Sequence, residues 1–231
     1  MPIGSFGFSM AASSMADALV EAIDAGRVFG SGDHRVVALE HATCRVAAGD
    51  RIALVGPSGS GKSTLLHLLA GLDAPTSGVV CWPALGELQT LRPSKLSFVF
   101  QNESLLAPLS ILENVEVPQL LAGAGAVAAR QEAIDVLEAL DLEAIADKLP
   151  EEVSGGQAQR AAVARSLVTK PALILADEPT GQLDHVTAAR LLDLLDQRLR
   201  GTPTALVIAT HDASVAQRMS VRWTIHHGVL A

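Results

Sequence analysis

Gly56-Pro57-Ser58-Gly59-Ser60-Gly61-Lys62-Ser63 is a run of glycines and hydroxyls closed by a lysine, a spacing suited to holding a phosphate chain. Gly59 and Gly61 let the backbone curl so that successive amides point inward at phosphate oxygens. Lys62 brings a compact charge to the β- and γ-phosphates. The Ser63 hydroxyl is a ligand for Mg²⁺, with Thr64 capping the helix behind it. Arg51-Ile52-Ala53-Leu54-Val55 reads as a buried strand running into this loop. A helical pattern from Thr64 to Ala70 follows and stops at Gly71, which tolerates positive φ. Strand, glycine loop and helix in that order are what phosphate binding requires, and the helix adds the positive end of its dipole.

A second apolar run, Ala172 to Ala176, ends in Asp177-Glu178. In a parallel sheet ligands gather beyond the carboxyl ends of the strands, so this acidic pair emerges beside the phosphate loop. Asp177 suits Mg²⁺ through water, because that ion keeps several of its waters. Glu178, one residue further on, can face an attacking water. Ser154-Gly155-Gly156-Gln157 reads as a serine-capped helix start and hence as an anion site.

Around these residues the sequence alternates strand and helix. Short strands are expected near Ala18–Ile23 and Val36–Leu39. Ala133, Ile134, Leu137 and Leu140 recur at helical spacing, with Arg130, Glu132, Asp135 and Glu138 on the other faces. One helix is expected from Gly155 through Leu167 and another from about Thr187 to Arg200, followed by a strand at Ala205–Ala209. Strands separated by helices imply an α/β fold with a parallel sheet.

At 231 residues and 49% hydrophobic, the chain suits one sizeable domain with an inserted piece. Its formal charge of −8 argues against a broad nucleic-acid footprint, so no nucleic-acid partner is expected. No apolar run approaches the roughly 20 residues that cross a bilayer, so direct membrane insertion is not expected either. Residues 1–17 carry no basic residue and read as a disordered leader rather than a secretory signal. Cys44 and Cys81 form no paired-ligand or redox spacing, which fits a reducing, cytosolic setting.

Leu149 to Arg160, with Ser154-Gly155-Gly156-Gln157 at its centre, closely resembles the signature segment of ABC transporter ATPase subunits, and the likeness extends from about Ala18 onward. The resemblance implies a P-loop NTPase fold: a RecA-like mixed or parallel sheet core, an N-terminal antiparallel β subdomain and an inserted α-helical subdomain. The ATPase domain would span 18–231, with 18–101 and 169–231 as catalytic core and about 102–168 as the insert. It implies an ATP hydrolase in which Ser154, Gly155, Gly156 and Gln157 reach the nucleotide of a second subunit, either another copy or a paralogue. Gln101 resembles the glutamine that senses Mg²⁺, Asp184 a residue joining the two sites, and His211 the histidine that contacts the γ-phosphate. Phe29 stands where the family places an aromatic that stacks on adenine.

Gly71 to Gly78, Leu105 to Ser110, Glu113 to Pro118 and Pro179-Thr180-Gly181 resemble the macrolide-export, lipoprotein-release and cell-division subgroup. The stretch between Gly78 and Phe98 is shorter than usual there, which implies a trimmed hairpin. The family resemblance implies a separate integral membrane permease and a cytoplasmic position on the inner face of the plasma membrane. The neighbourhood of Asn102 to Glu113 is the expected permease contact. Export or extraction is the leading use. A regulatory ATPase without cargo, an importer subunit and a DNA-linked ATPase are the alternatives.

Overall fold

The computed structural model describes residues 18–101 and 104–231; the expected leader and Asn102-Glu103 of the expected permease contact lie outside the described residues. The described residues open with two 12-residue strands, β1 (Ala18–Phe29) and β2 (Val36–Ala47), paired antiparallel. β3 (Arg51–Val55) runs into the glycine loop and α1 (Lys62–Leu69). After β4 (Ser77–Cys81) and β5 (Leu96–Val99) come α2 (Ile111–Leu121), α3 (Ala126–Ala139) and α4 (Gly155–Leu167). β6 (Leu173–Asp177), α5 (His185–Leu199), β7 (Ala205–Thr210), α6 (Ala213–Gln217), β8 (Val221–His226) and β9 (Val229–Leu230) follow.

The strands form one sheet in the order β4-β1-β2-β9-β8-β3-β7-β6-β5. From β8 to β5 every pairing is parallel, whereas β1 pairs antiparallel with both β4 and β2. The β8–β9 hairpin joins the two parts through one pair, His41 with Val229. This is the mixed architecture expected from the sequence, with α2 to α4 inserted between β5 and β6.

Two cores flank the sheet. Leu173 and Leu175 of β6 face the same core as Ala205, Val207 and Ala209 of β7, while Ile174, Ala176, Leu206 and Ile208 face the other. The two-residue period of a strand fills both covered faces, so β6 and β7 read as unbroken apolar runs. α1 shares the first core with β1 to β3, and α2 to α5 cover the second.

β1 and β2 run well beyond the short strands expected. Their pairing shifts register between Ala22 and Val28, and Asp24 takes φ 49°, so the alternation that marks a strand resets partway along. α1 begins at Lys62. Its N-cap is Gly61 at φ 107° with no side-chain cap, so Thr64 is an interior helical residue rather than a cap. The stretch 78–98 supplies β4, a single 3₁₀ turn at Leu88–Thr90 and β5, and β4 is left at the sheet edge, bonded to β1.

Leu54 of β3 is fully buried in the core shared with α1. Leu54→Ala should therefore cost about 2–5 kcal/mol through lost burial and a residual cavity, read as a lower urea midpoint. An unchanged midpoint would mean the sheet beneath the loop is not packed as described.

Candidate functional site

Parallel register assembles the site. Val55 pairs with Thr210 and Asp177 with Ala209, so Gly56, His211 and Glu178 leave the sheet from adjacent strand ends. Lys62 is buried, and its Nζ donates to the carbonyl oxygens of Gly56 at 2.9 Å and Pro57 at 3.1 Å. The ammonium is thus held inside the loop it serves. A Cβ on Gly61 would lie 2.5 Å from the Ala38 carbonyl oxygen, and one on Gly56 would lie 2.3 Å from that of Ile225. The loop is clamped between β2 and β8, and only glycine fits at these two positions. Pro57, Ser58 and Gly59 are exposed, while Ser60 is buried with its Oγ unpartnered.

Asp177 is buried near the Ser63 hydroxyl, which lies across β7 from it, and its Oδ1 has no partner. Burial pushes the carboxyl above its usual range; the Ser63 hydroxyl opposes this, the Glu178 charge adds to it, and His67 and Lys62 pull it back. An orphaned carboxylate oxygen next to a serine hydroxyl is an all-oxygen donor set suited to a hard cation such as Mg²⁺. Among the described residues no group of three or more His, Cys, Asp or Glu side chains gathers to hold a metal. Phosphate oxygens and water would have to complete such a shell.

Glu178 takes φ 46°, a left-handed backbone uncommon for a side-chain-bearing residue. Its N–H donates to Ala209 O at 2.9 Å and its carbonyl accepts from Gly181 N–H at 3.0 Å. Strain of this kind persists where surrounding bonds over-determine it. The Glu178 carboxylate is mostly buried and lies 3.0 Å from Nδ1 of the largely exposed His211. A polar cavity of about 200 Å³ opens beside them, lined in part by Gly181, Leu183 and His185.

Ser154 caps α4 reciprocally: its Oγ accepts from Gln157 N–H at 3.2 Å, and Gln157 Oε1 accepts from Ser154 N–H at 2.9 Å. Helix geometry gives the first amides no intrahelical acceptor. The capping box takes that of Gln157, so those of Gly155 and Gly156 are the ones open to an outside anion. A Cβ on Gly156 would lie 3.0 Å from Leu183 Cδ2, so the start of α4 abuts the segment leading to Asp184. Asp184 caps α5, accepting from the amides of Val186 and Thr187 at 3.0 Å each and from the Thr187 hydroxyl at 2.7 Å. These bonds, that of the Thr187 hydroxyl first, hold its carboxyl below the usual range.

Gln101 stands exposed two residues beyond β5. Phe29 lies at the end of β1 and is 42% exposed, so it is not a core residue. It pairs with Val36, which lies two residues along β2 from Ala38, whose carbonyl oxygen closes off the space beside Gly61. Two further contacts were not legible in the sequence. Gln159 Nε2 reaches Phe100 O at 3.5 Å, and Arg165 donates to Ser104 O at 2.8 Å and Ser104 Oγ at 2.7 Å. They tie the segment around Gln101 to α4 across about sixty residues of chain, a distance over which no local pattern reports.

Residues 39–181 match the family described as ABC transporter. The lipoprotein-releasing system ATP-binding protein LolD of Legionella pneumophila (strain Paris) is 46% identical over 206 residues, covering 86% of this chain and 91% of that protein. The protein of the same name from Xanthomonas campestris pv. campestris (strain 8004) is 43% identical over 220 residues, 92% of each chain. The dimeric structure of a post-hydrolysis state of the ATP-binding cassette MJ0796 bound to ADP and Pi superposes with a TM-score of 0.84 at 33% identity, over 90% of this chain and 95% of that one. Likeness of this extent, in sequence and in fold alike, makes this chain a member of the ABC transporter family, as an ATP-binding and ATP-hydrolysing subunit.

Proposed function

We propose that two copies of this chain close around two ATP–Mg²⁺, each nucleotide held between Lys62 of one protomer and Ser154 of the other, and that this cycle drives an integral membrane permease. The observation that carries the reading is the start of α4. Ser154 is exposed there and two glycine amides are left for an anion, while the chain's own triphosphate has Gly56–Ser63 to hold it. Thr64 and Gln157 support the two loops from within their helices, and Asp184 links one site to the other at the dimer seam.

In the closed state Glu178 orients and polarises the attacking water. His211 braces Glu178 from 3.0 Å and contacts the γ-phosphoryl group. Lys62 holds the β- and γ-phosphates, and Ser63, Asp177 and Gln101 would hold Mg²⁺, Asp177 by way of water. When bound, Mg²⁺ neutralises part of the charge on the phosphate oxygens. Phe29 stacks on adenine. Phosphoryl transfer then rests on positioning and electrostatics rather than on covalent chemistry.

A groove of about 320 Å³, lined by Leu72, Phe98, Phe100, Pro118, Leu121 and Arg165 among others, lies next to Gln101 and supports permease docking there. Among the described residues no helix is long and apolar enough to cross a membrane, so a partner would supply the spanning path. Since the relatives are named for a lipoprotein-releasing system, the proposed cargo is a lipoprotein. The chain would then work on the cytoplasmic face of the inner membrane through its permease.

Gly155→Glu places a negative charge at the proposed anion contact. It should abolish ATP-dependent dimerisation in light scattering while one chain still binds ATP; a variant that hydrolyses ATP at full rate as a monomer would refute the shared site. Glu178→Gln should slow phosphate release by about 10²–10⁴-fold and leave an ATP-bound dimer that elutes intact from a sizing column. Normal turnover would remove Glu178 from its role. Asp177→Asn relieves a buried, unpartnered carboxylate oxygen. It should raise the melting midpoint of the nucleotide-free chain yet erase the Mg²⁺-dependent part of ATP affinity, and a lower midpoint with Mg²⁺ dependence intact would contradict both assignments.

A further inference from the structure

The Phe29 ring is not bare on both sides. The Arg27 guanidinium carbon lies 4.5 Å from its centroid, over one face. Arg27 is itself held, its Nε donating to Asp73 Oδ2 at 2.8 Å, with both side chains about three-quarters buried. The other carboxylate oxygen of Asp73 accepts from Ala74 N–H at 2.8 Å, so this anchor cannot swing. Thr76 secures the same stretch of β1, accepting from Val28 N–H and donating to Gly26 O, each at 3.1 Å. Asp73 follows closely on the end of α1, the helix that begins at Lys62.

We infer that Asp73 and Arg27 are positioning residues that build a one-sided platform for the purine base: Asp73 fixes Arg27, Arg27 covers one face of Phe29, and the other face is left for adenine. The inference rests on the reading of Phe29 as the base-stacking residue. A cation over one face of an aromatic ring is attracted to it and draws π density toward itself. The opposite face then becomes a better partner for an electron-rich purine. Covering one face also stops the ring from turning onto neighbouring protein, so the stacking surface is ready before the base arrives. The chain from Lys62 through α1 to Asp73, Arg27 and Phe29 references both ends of the nucleotide to one helix. Neither Arg27 nor Asp73 touches the phosphates in this scheme, so their effect is confined to the base.

The test is calorimetric binding of MgATP and of magnesium tripolyphosphate, which lacks the base, to the full chain and to Phe29→Ala, Arg27→Met, Arg27→Lys and Asp73→Asn. Asparagine keeps the acceptor for Ala74 N–H, so Asp73→Asn removes the charge without unmaking the turn. Arg27→Met and Asp73→Asn should weaken MgATP binding by about 2- to 10-fold and leave tripolyphosphate binding unchanged, with Arg27→Lys recovering part of the loss. In a Phe29→Ala background, Arg27→Met should add nothing further, because the two act as one unit. If Phe29→Ala weakens MgATP but Arg27→Met and Asp73→Asn bind like the native chain, the buttress is wrong and the stacking residue stands. If Phe29→Ala itself binds MgATP normally, the stacking reading fails and this inference with it. If tripolyphosphate binding falls in parallel with MgATP, the effect is on the fold and the assignment is overturned.

Discussion

The register of three parallel strands is the constraint on which the site depends. Val55 opposite Thr210 and Asp177 opposite Ala209 bring the phosphate loop, His211 and the acidic pair to one edge of the sheet. A slip of one residue would do more than displace these ends. Because side chains alternate with a period of two, it would turn every inward residue of β6 or β7 to the opposite core. Both faces are packed, so each core resists the slip, and the chemistry inherits that precision from burial. Ser63 and Asp177 then approach each other across the intervening strand, and a buried carboxylate with an unpartnered oxygen is costly to keep without a ligand.

Several of the proposed site residues also hold their own helices. Ser154 and Asp184 cap α4 and α5, and each does so with the atoms proposed to serve a second protomer or the seam between two. The cap fixes the helix start before any partner arrives, so little ordering is left for the moment of closure. Glu178 is held likewise. Its left-handed backbone is locked by bonds to Ala209 and Gly181, and its carboxylate lies against His211. These are rigid supports for groups whose proposed work depends on placement.

The helix that begins at Ser154 also carries the segment around Gln101. Arg165 and Gln159 lie on α4 and bond to Ser104 and Phe100 on either side of it. Burial lowers the pKa of the Arg165 guanidinium, the mark of a cation held within protein rather than in water. A rotation of α4 would therefore carry the backbone next to Gln101 with it. That physical tie joins the surface proposed for the second protomer to the groove proposed for the permease.

Much of this was legible in the sequence because it is written locally. The phosphate loop, the serine-capped start of α4 at Gly155 and its end at Leu167, and the unbroken apolar runs of β3, β6 and β7 all follow from spacing within a few residues. Element ends were less clear where a local rule gave way. Gly61, not a side chain, starts α1, and the irregular pairing of β1 and β2 interrupts the alternation that would have shown their full length. Residue types and their order along the chain thus determined that phosphates are held and that acidic groups follow a buried strand. Only the tertiary structure decided that Asp177 reaches Ser63, that Glu178 meets His211, and that Arg27 leans on Phe29 under the hold of Asp73. Those pairs join separate elements, and their distances are set by sheet register and core packing, which no window of adjacent residues contains.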